Sequence, residues 1–214
     1  YEVGAKARAA LRLGGKVAVH AIGDVANARV LDLFDALVAD GADPADLRVE
    51  HASILTPDQI GRFASGGYTA CVQPAFMASE ATWLEKRIGP ERLAHAYPLG
   101  SMAAAGVPLA GSSDCPVEPP HPLWGMAAAR DRAGIKPDHE ALSGTQALAL
   151  FTDGAARALG EPEPLAIGSP ADFVVLDRDP VEASPNELRH AEVRATWIDG
   201  QPIAFPDHPI TWKG

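Results

Sequence analysis

The chain has 214 residues, of which 47% are hydrophobic and 21% charged, a composition typical of a globular protein. Its formal net charge is −10 and it has no basic block, which argues against nucleic acid or an anionic membrane surface as a partner. No apolar run approaches the roughly 20 residues of a membrane-spanning helix, and two cysteines are too few for a disulfide framework. We therefore expect a cytoplasmic protein without a membrane or nucleic-acid partner.

The opening segment YEVGAKARAALRLGG reads as a helix that ends at Gly14 and Gly15. The first residue is Tyr1 rather than methionine, so the helix reads as the middle of a longer element. We expect the chain to be the back part of a longer protein.

Four short apolar runs then alternate with segments of helical periodicity. The runs are KVAVHA, LRVEHA, YTACVQP and VPLAGSSD. Asp24 is placed to cap the helix after the first run, and Thr56 to cap the helix after the second. Apolar strands alternating with helices predict a parallel sheet covered on both faces, and no glycine-rich phosphate turn follows the first strand. The pattern therefore favours an α/β fold, part of a (β/α)8 TIM barrel, over a dinucleotide-binding fold.

The character of the sequence changes after the fourth unit. The run SGTQALALFTDGAARALG predicts one amphipathic helix with Ser143 as its cap. A proline- and glycine-rich turn leads into a strand from Asp172 to Leu176, and EVRATWIDGQPI predicts a hairpin around Asp199 and Gly200. We expect residues 1–160 to form the barrel part and residues 161–214 a small antiparallel module beside it.

Three of the four strands end in a residue able to bind a metal ion, namely His20, His51 and Asp114. In a barrel of this type, functional residues collect at the carboxyl ends of the strands. Imidazole nitrogen and carboxylate oxygen are ligands of hydrolytic divalent ions. A single histidine there is more often structural and a single aspartate more often a turn residue, but the repetition at equivalent places favours a metal site.

The remaining strand ends in Gln73, and Cys115 follows Asp114 directly. Gln73 is suited to binding a substrate amide or carbonyl, and a structural hydrogen bond explains it equally well. Cys115 is a candidate lining residue of the pocket. No histidine base is paired with it, which argues against a nucleophilic role.

The chain resembles the carboxyl-terminal half of a metal-dependent amidohydrolase, specifically amidohydrolase family 3, the YtcJ-like branch. The resemblance rests on VHAIGDVAN, RVEHASIL, VQPAF, GVPLAGSSDCPV and GSPADFVVLDRDP, which occur in the expected order over essentially the whole chain. HAIGD and SSDCPV are specific to the branch, whereas ADFVVLD marks the superfamily's β-sandwich tail more broadly. The resemblance implies strands five to eight of the barrel, followed by part of a composite β-sandwich.

The resemblance also implies a site and a reaction. His20 and His51 would be ligands of one or two divalent ions, with zinc expected, and Asp114 would be both a ligand and the proton shuttle. The implied activity is hydrolysis, by a metal-activated water, of a carbon–nitrogen bond other than an ordinary peptide bond. Suitable small-molecule substrates are N-substituted amides, formamides and cyclic amides.

The sequence departs from the family pattern in one large respect. No His-x-His pair occurs in the 214 residues, and the bridging lysine or acid expected near the fourth barrel strand has no counterpart. Two alternatives follow: an enzyme fragment whose missing half lies elsewhere, or a truncated, non-catalytic structural or interaction module. In either case we expect the open sheet edges to be covered, by a homo-oligomer or by the missing amino-terminal half. A phosphoester hydrolase on the same scaffold is a weaker alternative, because nothing resembles a phosphate cradle.

Overall fold

The computed structural model describes residues 2–203 and is built on one parallel sheet of four strands. The strands lie in the order β1-β2-β3-β4 and all neighbouring pairs are parallel. Their bounds are β1 Val17–Ala21, β2 Leu47–His51, β3 Thr69–Val72 and β4 Leu109–Gly111. The predicted α/β fold with a parallel sheet is confirmed, whereas its extension to half of a closed barrel stays a prediction.

Ten helices connect and cover the strands within the described range. Their bounds are α1 Glu2–Arg12, α2 Asp24–Ala39, α3 Pro57–Gly66, α4 Phe76–Glu80, α5 Leu84–Leu93, α6 Leu99–Ala104, α7 Pro122–Asp131, α8 Gly144–Phe151, α9 Asp153–Leu159 and α10 Pro185–Arg189. None of them is long and apolar enough to cross a membrane.

The two predicted hydroxyl caps are present, and the predicted aspartate cap is wrong. The Thr56 hydroxyl accepts the backbone N–H of Gln59, whose side chain accepts the Thr56 N–H in return, and Ser143 forms the same capping box. The first helix after a strand begins at Asp24 itself, and its N-cap is Gly23 without a side-chain cap. Asp24 instead accepts the N–H of Val25 within the first turn.

The two faces of the parallel sheet differ in polarity. Val17, Ala21, Leu47 and Val49 are buried against the helices, where Phe34 is fully buried as well. The strand register places Ala18 beside Arg48 and His20 beside Glu50 on the opposite face. There Arg48 and Glu50 form an ion pair with a 2.6 Å Nε–Oε1 distance. His20 therefore lies on this polar face, near the carboxyl end of its strand.

The segment expected to form one helix after Ser143 is two helices, α8 and α9, which corrects that prediction. Thr152 takes a non-helical backbone conformation between them. The break lets Gly154 approach the Leu109 carbonyl so closely that a Cβ there would lie 2.1 Å from its oxygen. The Ala158 carbonyl accepts a hydrogen bond from Arg48, so α9 contacts the polar face of the parallel sheet.

A second, antiparallel sheet follows, with β5 Phe173–Leu176, β6 Val193–Ile198 and β7 Gln201–Pro202 in that order. The predicted hairpin at Asp199 and Gly200 is present, and both residues have positive φ angles of 49° and 71°. Within residues 2–203 the only other sheet is the parallel one, so the second layer of a sandwich is not among the described residues. The β-sandwich and the boundary at residue 160 therefore stay predictions, and part of the 161–214 module, residues 204–214, lies outside the described residues.

Candidate functional site

The structure brings the two predicted histidines together at the carboxyl end of the parallel sheet. His20 is the fourth residue of β1 and His51 is the last residue of β2. Their ring centroids are 4.5 Å apart with an interplanar angle of 73°. This is the convergence that two neighbouring parallel strands were expected to produce.

A strained backbone at the end of β2 accompanies the meeting of the two rings. Because side chains alternate between the two faces along a strand, His51 would be expected on the same face as Leu47 and Val49, against the helices. His51 and the following Ala52 instead have positive φ angles of 80° and 47°. Such backbone costs about 1–3 kcal/mol per residue and clusters at functional sites.

The surroundings of His51 favour its neutral ring. Burial lowers the pKa of His51, and the nearby His20 lowers it further, while Asp114, Gln73 and Glu50 oppose the change. His51 is 6% exposed, and its Nδ1 has no hydrogen-bond partner. A neutral imidazole is the form that binds a metal ion.

Asp114 lies close enough to raise the pKa of His51, but it does not lie at the end of the strand itself. The fourth strand ends at Gly111, so Asp114 lies three residues beyond it, exposed and with a φ of 54°. Among residues 2–203, no group of three or more histidine, cysteine or acidic side chains has the geometry to hold a metal ion. The described residues thus supply a histidine pair with a neighbouring carboxylate, and Asp114 as a ligand stays a prediction.

Gln73 is part of this arrangement. It is 2% exposed just beyond β3, and its Nε2 donates to the Cys71 carbonyl at 3.0 Å and to Ser112 Oγ at 2.7 Å. Its Oε1 has no partner. Cys115 is an exposed free thiol on the turn that carries Asp114. Substrate-binding roles for both stay predictions.

Sequence reasoning missed Asn27, which holds the loop after His20. This fully buried side chain donates from Nδ2 to the carbonyls of Ala21, Ile22 and Gly23, at 3.3, 3.2 and 2.9 Å. A signal was available, because an asparagine on the apolar face of a helix has to find partners among the groups it packs against.

A second missed feature is a partly buried phenol–carboxylate pair near the histidines. Tyr97 donates its hydroxyl to Glu80 at 2.5 Å, and its backbone N–H donates to the Ser53 carbonyl, two residues after His51. Burial raises the pKa of Glu80, the Tyr97 hydrogen bond opposes this, and the nearby Glu118 raises it again. Phe76, on the same helix as Glu80, lies 5.9 Å from the His51 ring. The pair therefore flanks the site, and no local sequence pattern marks it.

The sequence profile described as the amidohydrolase family matches residues 2–204. The chain belongs to the amidohydrolase family. This confirms the resemblance drawn from the motifs at the strand ends.

Named relatives of this amidohydrolase chain come from bacteria and a plant. It is 33% identical over 204 residues to the amidohydrolase called YtcJ of Bacillus subtilis strain 168, covering 91% of this chain and 38% of the relative. It is 34% identical over 201 residues to the N-substituted formamide deformylase of Arthrobacter pascens, covering 89% and 37%. It is 35% identical over 208 residues to the protein Long After Far-Red 3 of Arabidopsis thaliana, covering 91% and 35%. The chain thus spans less than two fifths of each of these relatives.

Solved structures also superpose on this chain. A metal-dependent hydrolase from Pyrococcus furiosus superposes with a TM-score of 0.75 at 36% identity, covering 85% of this chain and 37% of that one. Its counterpart from Pyrococcus horikoshii gives 0.75 at 33% identity, covering 86% and 38%. An adenosine deaminase from Xanthomonas campestris with bound zinc, at 22% identity and a TM-score of 0.68, covers 94% and 48% and shares the fold.

Proposed function

We propose that this chain contributes His20, His51 and Asp114 to a metal-dependent hydrolase that cleaves carbon–nitrogen bonds of the amide type. The observation that supports it is the pair of imidazoles 4.5 Å apart at adjoining strand ends. Family membership and the names of the relatives, one a formamide deformylase and another a metal-dependent hydrolase, support the reaction class.

The chemistry of the donors fits part of a site for zinc or a similar ion. Two imidazoles and one carboxylate are ligands that zinc takes in catalytic sites. The lowered pKa of His51 keeps its ring in the ligating form at neutral pH. Because residues 2–203 hold no three-donor cluster and the sequence has no His-x-His pair, a complete site needs ligands from another chain segment.

The side chains of the site would divide the work of hydrolysis. A bound divalent ion supplies Lewis-acid activation of water and of the substrate carbonyl. His20 and His51 would hold that ion at two neighbouring strand ends, and the exposed Asp114 would take a proton from water and give it to the leaving nitrogen. Gln73 and Cys115 would contact the substrate.

The test is metal content and hydrolysis by the purified full-length protein. We expect one or two divalent ions per chain and hydrolysis of N-substituted formamides, cyclic amides or N-acyl amines. His20→Ala and His51→Ala should lower the metal content, whereas His95→Ala, which changes an exposed histidine away from the pair, should not. A metal-free protein prepared without chelators would refute the proposal.

A second candidate is a non-catalytic structural or interaction module. It is favoured by the absence of a three-donor metal cluster among residues 2–203 and by the outer edges of β1 and β4, which no described strand covers. Light scattering on the isolated chain addresses it. Association into a dimer that is lost when the edges carry proline substitutions supports an interaction role, and a stable monomer argues against it.

A further inference from the structure

The guanidinium of Arg132 is buried, and it donates hydrogen bonds to three backbone carbonyls. Arg132 follows the end of α7 and is 1% exposed. Its Nε donates to the Ile135 carbonyl at 2.9 Å, its Nη1 to the Tyr97 carbonyl at 2.7 Å and its Nη2 to the Ala96 carbonyl at 3.2 Å. A charged group is costly to withdraw from water unless its hydrogen bonds offset that cost. Because two of the three acceptors are consecutive residues, Arg132 fixes the segment 95–97 to the end of α7.

The segment 95–97 is bonded in turn to the loop that follows β2. An isolated antiparallel bridge joins Ile54 and Ala96. The backbone N–H of Tyr97 donates to the Ser53 carbonyl at 2.6 Å, and Ser53 is buried. A movement of the segment would therefore move the loop as well.

This loop begins with a backbone conformation that its neighbours have to maintain. His51 and Ala52 have positive φ angles of 80° and 47°, which side chains other than glycine rarely adopt. The N–H groups of Ala52 and Ile54 donate to the carbonyls at the end of β1, those of Ala21 and Ile22, at 2.9 Å each. The neighbours that fix the loop are thus the end of β1 and the segment that Arg132 holds.

Tyr97 also connects to a second neighbour of His51. Its own φ is 49°, and its hydroxyl donates to Glu80 on α4 at 2.5 Å. The same helix carries Phe76, whose ring lies 5.9 Å from the His51 ring. The backbone of Tyr97, held by Arg132 at its carbonyl, therefore contacts the loop after His51, and its side chain contacts the helix beside that histidine.

We propose that Arg132 is a positioning residue that fixes, through the segment 95–97, the place of His51 in the candidate site. The planar guanidinium donates to two consecutive carbonyls at once, a geometry that the single ammonium of lysine does not reproduce. The contacts from Arg132 to the loop stand on the hydrogen bonds alone, whereas their consequence for metal binding rests on the proposed function.

Hydrogen exchange of the full-length protein, followed by mass spectrometry at the level of single amides, tests the contact. Arg132→Lys keeps the charge and loses the paired donation. We expect the amides of Ala52, Ile54 and Tyr97 to exchange about 10-fold faster in this variant, because the loop opens more readily. The amides of β3 should exchange at the native rate.

Arg130→Lys is the matched control, because Arg130 lies two residues earlier on α7 and donates to the Ala183 carbonyl instead. It should leave the three loop and segment amides unchanged. Unchanged exchange in Arg132→Lys overturns the proposal. An equal increase in β3 also overturns it, because that is the result of a general loss of stability.

The native protein decides the proposal where Arg132→Lys does not fold. The amides of Ala52, Ile54 and Tyr97 should then open in one common step as urea is raised below the unfolding transition. Separate openings of the loop and of the segment 95–97 would overturn the proposal.

Zinc affinity of the full-length protein, measured by chelator competition, extends the test to the site. Arg132→Lys should weaken zinc binding by about 10-fold, and Arg130→Lys should not. Zinc binding that Arg132→Lys leaves unchanged would overturn the role in positioning His51. Faster exchange of the loop in a protein that binds no zinc would sustain the hold of Arg132 on the loop and refute the proposed hydrolase.

Discussion

The loop that follows His20 is held by one side chain, and its removal gives a measurable loss of stability. Asn27→Ala deletes the contacts of Nδ2 with the carbonyls of Ala21, Ile22 and Gly23. The amide has two protons to share among these three acceptors, so the contacts amount to about two hydrogen bonds, together about 1–3 kcal/mol. Each carbonyl also accepts a backbone N–H, and the substitution removes the unpartnered Oδ1 as well. We therefore expect a loss in the lower half of this range, about 1–2 kcal/mol.

Urea unfolding followed by circular dichroism measures this loss, and thermal unfolding should show a Tm lower by about 2–4 °C per kcal/mol. Asn186→Ala is the matched control, because Asn186 is the other asparagine of the chain and is exposed. Asn27→Asp should be more harmful than Asn27→Ala at neutral pH, because it turns an oxygen towards three carbonyl oxygens in a buried place. The reasoning is refuted if Asn27→Ala unfolds at the same urea concentration as Asn186→Ala, or if Asn27→Asp is no worse.

Three further changes follow from the same contacts. Burial lowers the pKa of His121 below its usual 6.5, so the unfolded chain binds the proton more readily than the folded chain. The folded state therefore loses stability as the pH falls through and below 6.5. His121→Phe should flatten the pH dependence of the free energy of unfolding in urea, and an unchanged dependence would contradict this. Tyr97→Phe removes the hydrogen bond that opposes the rise in the pKa of Glu80. We therefore expect the free energy of unfolding to fall by about 1–2 kcal/mol near neutral pH and by less in acid. A loss that does not depend on pH would count against this. Thr56→Ala removes the cap that accepts the Gln59 N–H and should cost about 1 kcal/mol in thermal or urea unfolding, where Thr56→Ser should be close to neutral.

The elements of the sheet and the meeting of the histidines were accessible from the sequence because both follow from local patterns. Short apolar runs alternating with capped helices predict a parallel sheet, and parallel strands end at one edge. His20 and His51 stand at the ends of two such runs, so their placement at one edge of the sheet was predictable, whereas the positive φ angles at His51 and Ala52 that accompany the meeting of the rings were not. The capping boxes at Thr56 and Ser143 are likewise properties of four consecutive residues.

Features that depend on distant partners were not accessible in this way. The helix break at Thr152 depends on Gly154 packing against the Leu109 carbonyl, and nothing in the helical run itself marks it. The Glu80–Tyr97 bond joins residues 17 positions apart. Both features depend on tertiary contacts, which override local preferences.

The position of Asp114 could not be predicted from the sequence for a different reason. Its run of small residues predicts a strand that leads straight to the carboxylate, yet the strand ends at Gly111. Gly111 lies against Phe151, where a Cβ would come within 2.8 Å of the ring. The glycine therefore serves the packing of α8, and the acid lies on the turn beyond.

The account depends on His20 and His51 sharing one divalent ion. X-ray absorption spectroscopy of the zinc-loaded full-length protein measures this most directly, because it counts the nitrogen ligands around the metal. We expect at least two histidine nitrogens at about 2.0–2.1 Å, one fewer in His20→Ala and one fewer in His51→Ala. A spectrum without histidine ligands, or one that neither substitution changes, would contradict the account.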